Sequence, residues 1–167
     1  YIILPDYITS IGEFAFNSCS KLLGSPNNDT LNLQYITSIE TGAFESCSSL
    51  SSVLISEENL TAIGESVFMG CFKLQNIVLP INNTYTSISQ NTFTDCTSLL
   101  TINIPKNITS IGDQAFSGCS KLNTVYLNNG LTSIGEEAFA ASGIVTLNTP
   151  PSLTNIGSKA FNMCPQL

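Results

Sequence analysis

The sequence predicts a repeat solenoid, and three observations support that fold class. A phrase close to Ile-Thr-Ser-Ile-Gly, followed by Phe, Cys and Leu, recurs seven times along the 167 residues. Its phenylalanines follow one another at intervals of 22 to 28 residues, a period typical of units that pack only on their neighbours. They are Phe16, Phe44, Phe68, Phe93, Phe116, Phe139 and Phe161. Apolar residues make up 43% of the chain and charged residues 10%, which favours a packed chain over a disordered one.

Residues 108–127 show how one unit is built. The β-branched residues of 108–111 predict a short strand, and Gly112 supplies a turn residue able to take positive φ. Residues 113–119 are too few for a stable helix and predict a single helical or 3₁₀ turn. Residues 122–127 alternate apolar and polar side chains, the pattern of a strand with one buried face.

Stacking of these units places equivalent side chains in columns, with parallel strands about 4.8 Å apart along one concave face. The predicted inward columns are Val53, Ile77, Ile102, Val125 and Leu147; Leu33, Ile55, Leu79, Ile104 and Leu127; and Ile11, Ile39, Ile63, Ile88, Ile111, Ile134 and Ile156. Glu40 and Ser89 replace the turn glycine, so we expect distorted turns there. Residues 24–30 lengthen the first interval and should form an outward loop.

Two copies of the repeat carry a family resemblance. "ITSIGDQAFSGCSKLNTVYL" (108–127) and "LTSIGEEAFAASGIVTLNTP" (131–150) closely resemble the BspA-like type of leucine-rich repeat, and the match covers essentially the whole chain. The resemblance implies a curved leucine-rich-repeat solenoid with a parallel sheet on its concave face. It also implies, in many members, a cell-surface or secreted adhesion protein that binds host or matrix proteins. It implies no catalytic residues.

We expect residues 1–167 to form one leucine-rich-repeat domain of about seven repeats. Solenoids close their ends with atypical polar caps, and neither terminus offers one. The sequence is therefore expected to be part of a longer array.

Composition argues against several classes of function. The 12 acids against 5 lysines give a net charge of −7, whereas nucleic-acid binding needs a basic stripe. The absence of histidine removes Ser-His-Asp and Cys-His catalysis and the usual zinc ligands. Acids and hydroxyls are scattered by repeat position without a converging base, so we expect neither an enzyme nor a cofactor. No apolar run is long enough to cross a bilayer.

The six cysteines share one repeat position, which Ser142 fills in the sixth copy; they are Cys19, Cys47, Cys71, Cys96, Cys119 and Cys164. Side chains in such a column point the same way, with Cβ atoms near the strand spacing and not at the roughly 3.5–4.5 Å that a disulfide prefers. We therefore expect buried free thiols that pack as small apolar groups, in preference to disulfides or a metal site.

Two further patterns have plain interpretations. A threonine occupies one position in every copy: Thr9, Thr37, Thr61, Thr86, Thr109, Thr132 and Thr154. This column could be an outward ice- or glycan-facing array, but β-branched residues also suit a half-exposed strand, and we favour that interpretation. Glycosylation sequons occur at Asn28, Asn59, Asn82 and Asn107, and their number is the one expected by chance, so they do not decide the compartment.

The predicted concave face is the candidate functional surface. Its central outward positions are Asn32, Leu54, Val78, Asn103, Tyr126 and Asn148. Exposed apolar side chains mixed with amides suit protein contacts. The sequence therefore predicts a non-enzymatic protein-binding module for cell-surface adhesion or recognition, secreted or at the cell surface, whose partner is a host, matrix or assembly protein. The alternative is a structural scaffold or spacer within a large cytoplasmic assembly, for example a cytoskeletal one.

Overall fold

The protein, described by a computed structural model over residues 1–26, 29–56 and 59–167, is a parallel β-solenoid. Each coil begins with a short strand, continues through a turn segment that carries the repeat phenylalanine, and returns along a second strand or extended segment. We number the coils 1 to 7 by their phenylalanines, from Phe16 to Phe161. The predicted repeat solenoid is confirmed.

The strands form two faces. The short-strand face contains β1 (Ser10–Ile11), β3 (Ser38–Ile39), β5 (Ala62–Ile63), β7 (Ser87–Ile88), β9 (Ser110–Ile111), β11 (Ser133–Ile134) and β12 (Asn155–Ile156). The long-strand face, which corresponds to the predicted concave face, contains β2 (Thr30–Leu33), β4 (Ser52–Ile55), β6 (Asn76–Ile77), β8 (Thr101–Asn103) and β10 (Thr124–Tyr126). Every strand pair is parallel and in register, so equivalent residues of the paired coils lie side by side. Each face consists of two sheets, with β1-β3-β5 and β7-β9-β11-β12 on one side and β2-β4-β6 and β8-β10 on the other.

The core is a stack of phenylalanine rings flanked by the predicted aliphatic columns. Successive rings lie nearly parallel, with centroids 5.2–5.8 Å apart, and the five inner rings are fully buried. The inward columns are confirmed except at three positions near coils 5 to 7. Leu127 and Leu147 are half-buried, and Ile156, in coil 7, is 52% exposed.

The predicted helical turn is wrong: over the described residues, the segment around each phenylalanine is a run of overlapping β-turns. In all seven coils the residues two before and two after the phenylalanine have positive φ, and only three of these fourteen positions are glycine. The reason is that alternate N–H groups leave the segment. In coil 5, Gln114, Phe116 and Gly118 donate to the carbonyls of coil 6 at 2.7–2.8 Å, whereas a helix would keep those donors within itself.

The turn glycine is required by close packing and not by its φ. Gly112 does not have positive φ; a Cβ atom at this position would lie 2.8 Å from the backbone of Ile88 and Gln90 in the preceding coil. Distortion is confirmed at Ser89, whose hydroxyl replaces the backbone donor and bonds to the Ile63 carbonyl at 2.7 Å. At Glu40 the prediction is wrong, because its N–H keeps the regular bond to the Ile11 carbonyl at 2.9 Å.

The threonine column is part of the scaffold. The hydroxyls of Thr37, Thr61, Thr109, Thr132 and Thr154 each donate to the carbonyl of the threonine one coil earlier, at 2.9–3.2 Å. These bonds reinforce the backbone ladder, which favours the plain interpretation of the column. The predicted loop at 24–30 includes Asn27 and Asn28, which lie outside the described residues; at its ends the Ser25 N–H donates to the Thr30 carbonyl at 2.8 Å.

Candidate functional site

The long-strand face gathers the six predicted residues into one column. Asn32 lies beside Leu54 in the β2–β4 pair, and Asn103 lies beside Tyr126 in the β8–β10 pair. Val78 follows β6 directly, and Asn148 follows the bridge between Thr124 and Thr146. All six side chains are exposed, with Leu54 at 46%, Val78 at 55% and Tyr126 at 61%. Period-two alternation along each strand therefore placed these residues on the outer surface.

This column and its neighbour carry no charged side chain, although the chain as a whole has a net charge of −7. The neighbouring outward positions are Ser52, Asn76, Thr101, Thr124 and Thr146. Hydroxyls and amides thus surround three exposed apolar side chains. Such a surface can combine apolar burial with directional hydrogen bonds, and its contacts need no charged partner.

Two concavities open on or beside this face. One, of about 290 Å³, is lined by residues that include Ile3, Asp6, Asn32 and Leu54. The other, of about 250 Å³, lies between coils 3 and 4 and is lined by residues that include Val78, Ile81 and Asn103.

Sequence reasoning did not single out Ile81, which is 46% exposed in the second concavity. The signal that could have found it is an insertion. In the connection into coil 4, Thr86 comes seven residues after Leu79. In the equivalent connection into coil 5, Thr109 comes five residues after Ile104, so the connection into coil 4 has two additional residues.

The cysteine column forms no disulfide among the described residues, and the prediction of free thiols is confirmed. The thiols of Cys47, Cys71, Cys96, Cys119 and Cys164 each donate to the phenylalanine carbonyl of the preceding coil at 3.1–3.3 Å. Burial raises the pKa of Cys47 to about 12, and it also raises the pKa of Cys71, Cys96 and Cys119.

The expectation of burial is wrong at the ends of the column. Cys19 is exposed, and Cys164 is half-buried beside the hydroxyl of Ser142 at 3.3 Å. In the part of the chain that the structure describes, no group of acids and cysteines could hold a metal ion.

The sequons differ in how far their amide groups are engaged. Asn28 lies outside the described residues, and Asn59 is exposed. The side-chain nitrogen of Asn82 donates to the Leu60 carbonyl, and that of Asn107 donates to the Pro80 carbonyl at 3.1 Å and to the Tyr85 carbonyl. Because a glycan replaces one of the two amide hydrogens, a glycan at Asn107 would require at least one of its two inter-coil bonds to break.

Fold and repeat together define the class of protein as a leucine-rich-repeat solenoid. The chain matches the model of the BspA type leucine rich repeat region (6 copies) over residues 1–86 and 37–167. It belongs to that family. A comparison with curated proteins found no match.

Solved structures of bacterial repeat proteins share the fold. A leucine rich cell surface protein from Faecalibacterium prausnitzii A2-165 is 29% identical, with a TM-score of 0.82 over 99% of this chain and 44% of its own. A leucine-rich repeat protein from Eubacterium ventriosum is 21% identical, with a TM-score of 0.71 over 95% of this chain and 41% of its own. The pneumococcal vaccine antigen PcpA is 20% identical, with a TM-score of 0.56 over 93% of this chain and 34% of its own. The chain thus spans less than half the length of each. Across the described ranges, no helix is long and apolar enough to span a membrane.

Proposed function

We propose that the chain is a non-enzymatic module that binds another protein through the long-strand face, at a cell surface or after secretion. The observation that carries the proposal is the exposed column in which Leu54, Val78 and Tyr126 lie among the amide side chains of three asparagines. The location is supported by the Faecalibacterium neighbour, whose description is a leucine rich cell surface protein.

The geometry suits capture of an extended partner surface. Parallel pairing sets neighbouring side chains of the column about 4.8 Å apart. Within each of its two sheets, β2-β4-β6 and β8-β10, the face is held in register by pairing, so little conformational entropy would be lost there when a partner binds. Tyr126 offers the kind of aromatic anchor that dominates many interfaces, and the asparagines can both donate and accept hydrogen bonds.

Neither catalysis nor a cofactor belongs to this proposal. The thiols of the inner coils are the strongest nucleophiles that the core contains, yet their raised pKa values keep them protonated at neutral pH. They also point into the core, where each one donates to a backbone carbonyl.

The test is a pull-down with the double variant Leu54→Ser/Tyr126→Ser as bait. We expect at least a tenfold loss of the proteins that the wild-type chain recovers from its native source, with bound proteins quantified by mass spectrometry. The loss follows from removal of two exposed apolar anchors, a change that should leave the melting temperature nearly unaltered because both side chains are about half exposed or more.

The matched control is Tyr7→Ser/Ile156→Ser, which removes one aromatic and one aliphatic side chain, 81% and 52% exposed, away from the long-strand face. This variant should recover the same proteins as wild type. Equal recovery by the Leu54/Tyr126 variant would contradict the proposal. It would favour the alternative of a structural spacer that is bound along another side.

A further inference from the structure

Both strand faces are interrupted at the same place, the junction between coils 3 and 4. Among the residues that the structure describes, β5 does not pair with β7, and β6 does not pair with β8. The neighbouring junctions keep their pairs, β3 with β5 on one side and β7 with β9 on the other. The rod is thus divided into two stacks of coils on its strand sides.

Two local changes in the sequence explain the interruption. Ser89 stands where the other inner coils, except at Glu40, carry glycine, and a Cβ at those glycines would lie 2.6–2.8 Å from the backbone of the preceding coil. Its hydroxyl takes the acceptor that the backbone N–H would otherwise use. The two additional residues between Leu79 and Thr86 also lengthen the connection into β7.

One buried polar group of coil 4 lacks a partner. Tyr85 occupies the column that Leu60 and Ile108 occupy in coils 3 and 5. Its hydroxyl is buried without a hydrogen-bond partner. An orphaned buried polar group is unfavourable, so contact with water would relieve it.

The turn side of the same junction is intact. Ser66, Phe68 and Gly70 donate to the carbonyls of Gln90, Thr92 and Thr94 at 2.8–3.0 Å. The rings of Phe68 and Phe93 stack with centroids 5.7 Å apart. One edge of the junction is therefore held as firmly as in the other coils, while the strand edges are not.

We propose that the junction between coils 3 and 4 is a built-in hinge that opens on the strand sides about the intact ladder of the phenylalanine segments. The hinge divides the long-strand face between Val78 and Asn103. Opening widens the concavity between these residues and changes the angle between the two halves of the face. This motion belongs to the chain itself and requires no partner, so its test is independent of the proposed binding function.

Backbone amides on the strand side report on the opening. The Leu100 N–H donates to the Gln75 carbonyl across the hinge junction at 3.4 Å, and the equivalent Asn123 N–H donates to the Leu100 carbonyl across the next junction at 3.1 Å. Native-state hydrogen exchange of the intact chain, followed by NMR, measures how often each bond opens. We expect the protection factor of the Leu100 amide to be at least tenfold lower than that of the Asn123 amide. Equal protection would overturn the hinge, because it would mean that both bonds open in the same event.

Two variants test the cause. Ser89→Gly with deletion of Asn83 and Thr84 should pair β5 with β7 and raise the protection of the Leu100 amide to that of the Asn123 amide. Gly112→Ser places a serine at the paired junction between coils 4 and 5, and it should lower the protection of the Asn123 amide. If neither variant changes the protection of its amide, the assignment of the hinge to these residues is wrong.

Discussion

Phe116→Ala is expected to lower the free energy of unfolding by about 3–5 kcal/mol. The Phe116 ring is fully buried, with the rings of Phe93 and Phe139 each 5.2 Å away. Truncation leaves a cavity in the stack. The coils cannot close it by sliding together, because the backbone bonds on either side of the ring fix their spacing. Urea denaturation followed by circular dichroism measures the change.

Phe72→Ala is the matched control for that substitution. Phe72 is 48% exposed and does not belong to the ring stack. Its truncation should lower the free energy of unfolding by about 1 kcal/mol or less, since nearly half of its surface already contacts water. A similar loss for both variants would show that the ring stack is not the main source of the core's stability.

Gly135→Val is expected to destabilise the chain by about 1–3 kcal/mol through overpacking. A Cβ at this position would lie 2.5–2.7 Å from atoms of Asp113 and Gly112 in the preceding coil. The coils must then separate and lose pairing between β9 and β11. Of the two inner coils that lack this glycine, pairing to the preceding coil is lost at Ser89 and kept at Glu40.

Gly12→Val is the control, because Gly12 has the equivalent position in coil 1 and a Cβ there meets nothing within 4 Å. It should change the melting temperature little, whereas the melting temperature of the Gly135 variant should fall by several degrees. Equal effects would mean that close approach between coils is not the reason for the glycine.

Much of the fold follows from the period of the sequence. The interval between phenylalanines and the alternation in residues 122–127 predicted the stacked coils, the inward columns and the outward placement of Tyr126. These features are set by side-chain burial, which a single sequence records directly. The path around each phenylalanine was not predicted. It depends on N–H groups that bond to the next coil, and residues such as Gln114 and Glu137 give no local sign of their positive φ.

The candidate site, like the fold, was predicted only in part. Alternation identified its six residues, because each lies opposite an inward neighbour. The concavity at Val78 and Ile81 and the interruption beside it were missed. Both arise where two residues are inserted, and the insertion changes contacts between coils and not the residue pattern within one coil. The sequence marks two departures from the turn glycine, Glu40 and Ser89, and only the one at Ser89 coincides with the interruption.

The central claim is that equivalent side chains of successive coils lie one above the next in a continuous rod. The most direct measurement is a nuclear Overhauser spectrum of chain whose phenylalanine rings alone are protonated in a deuterated background. With centroids 5.2–5.8 Å apart, contacts should link the seven repeat rings in chain order, from Phe16 to Phe161, and should skip none. Contacts between rings of non-adjacent repeats, or no contacts between adjacent ones, would contradict the stacked arrangement.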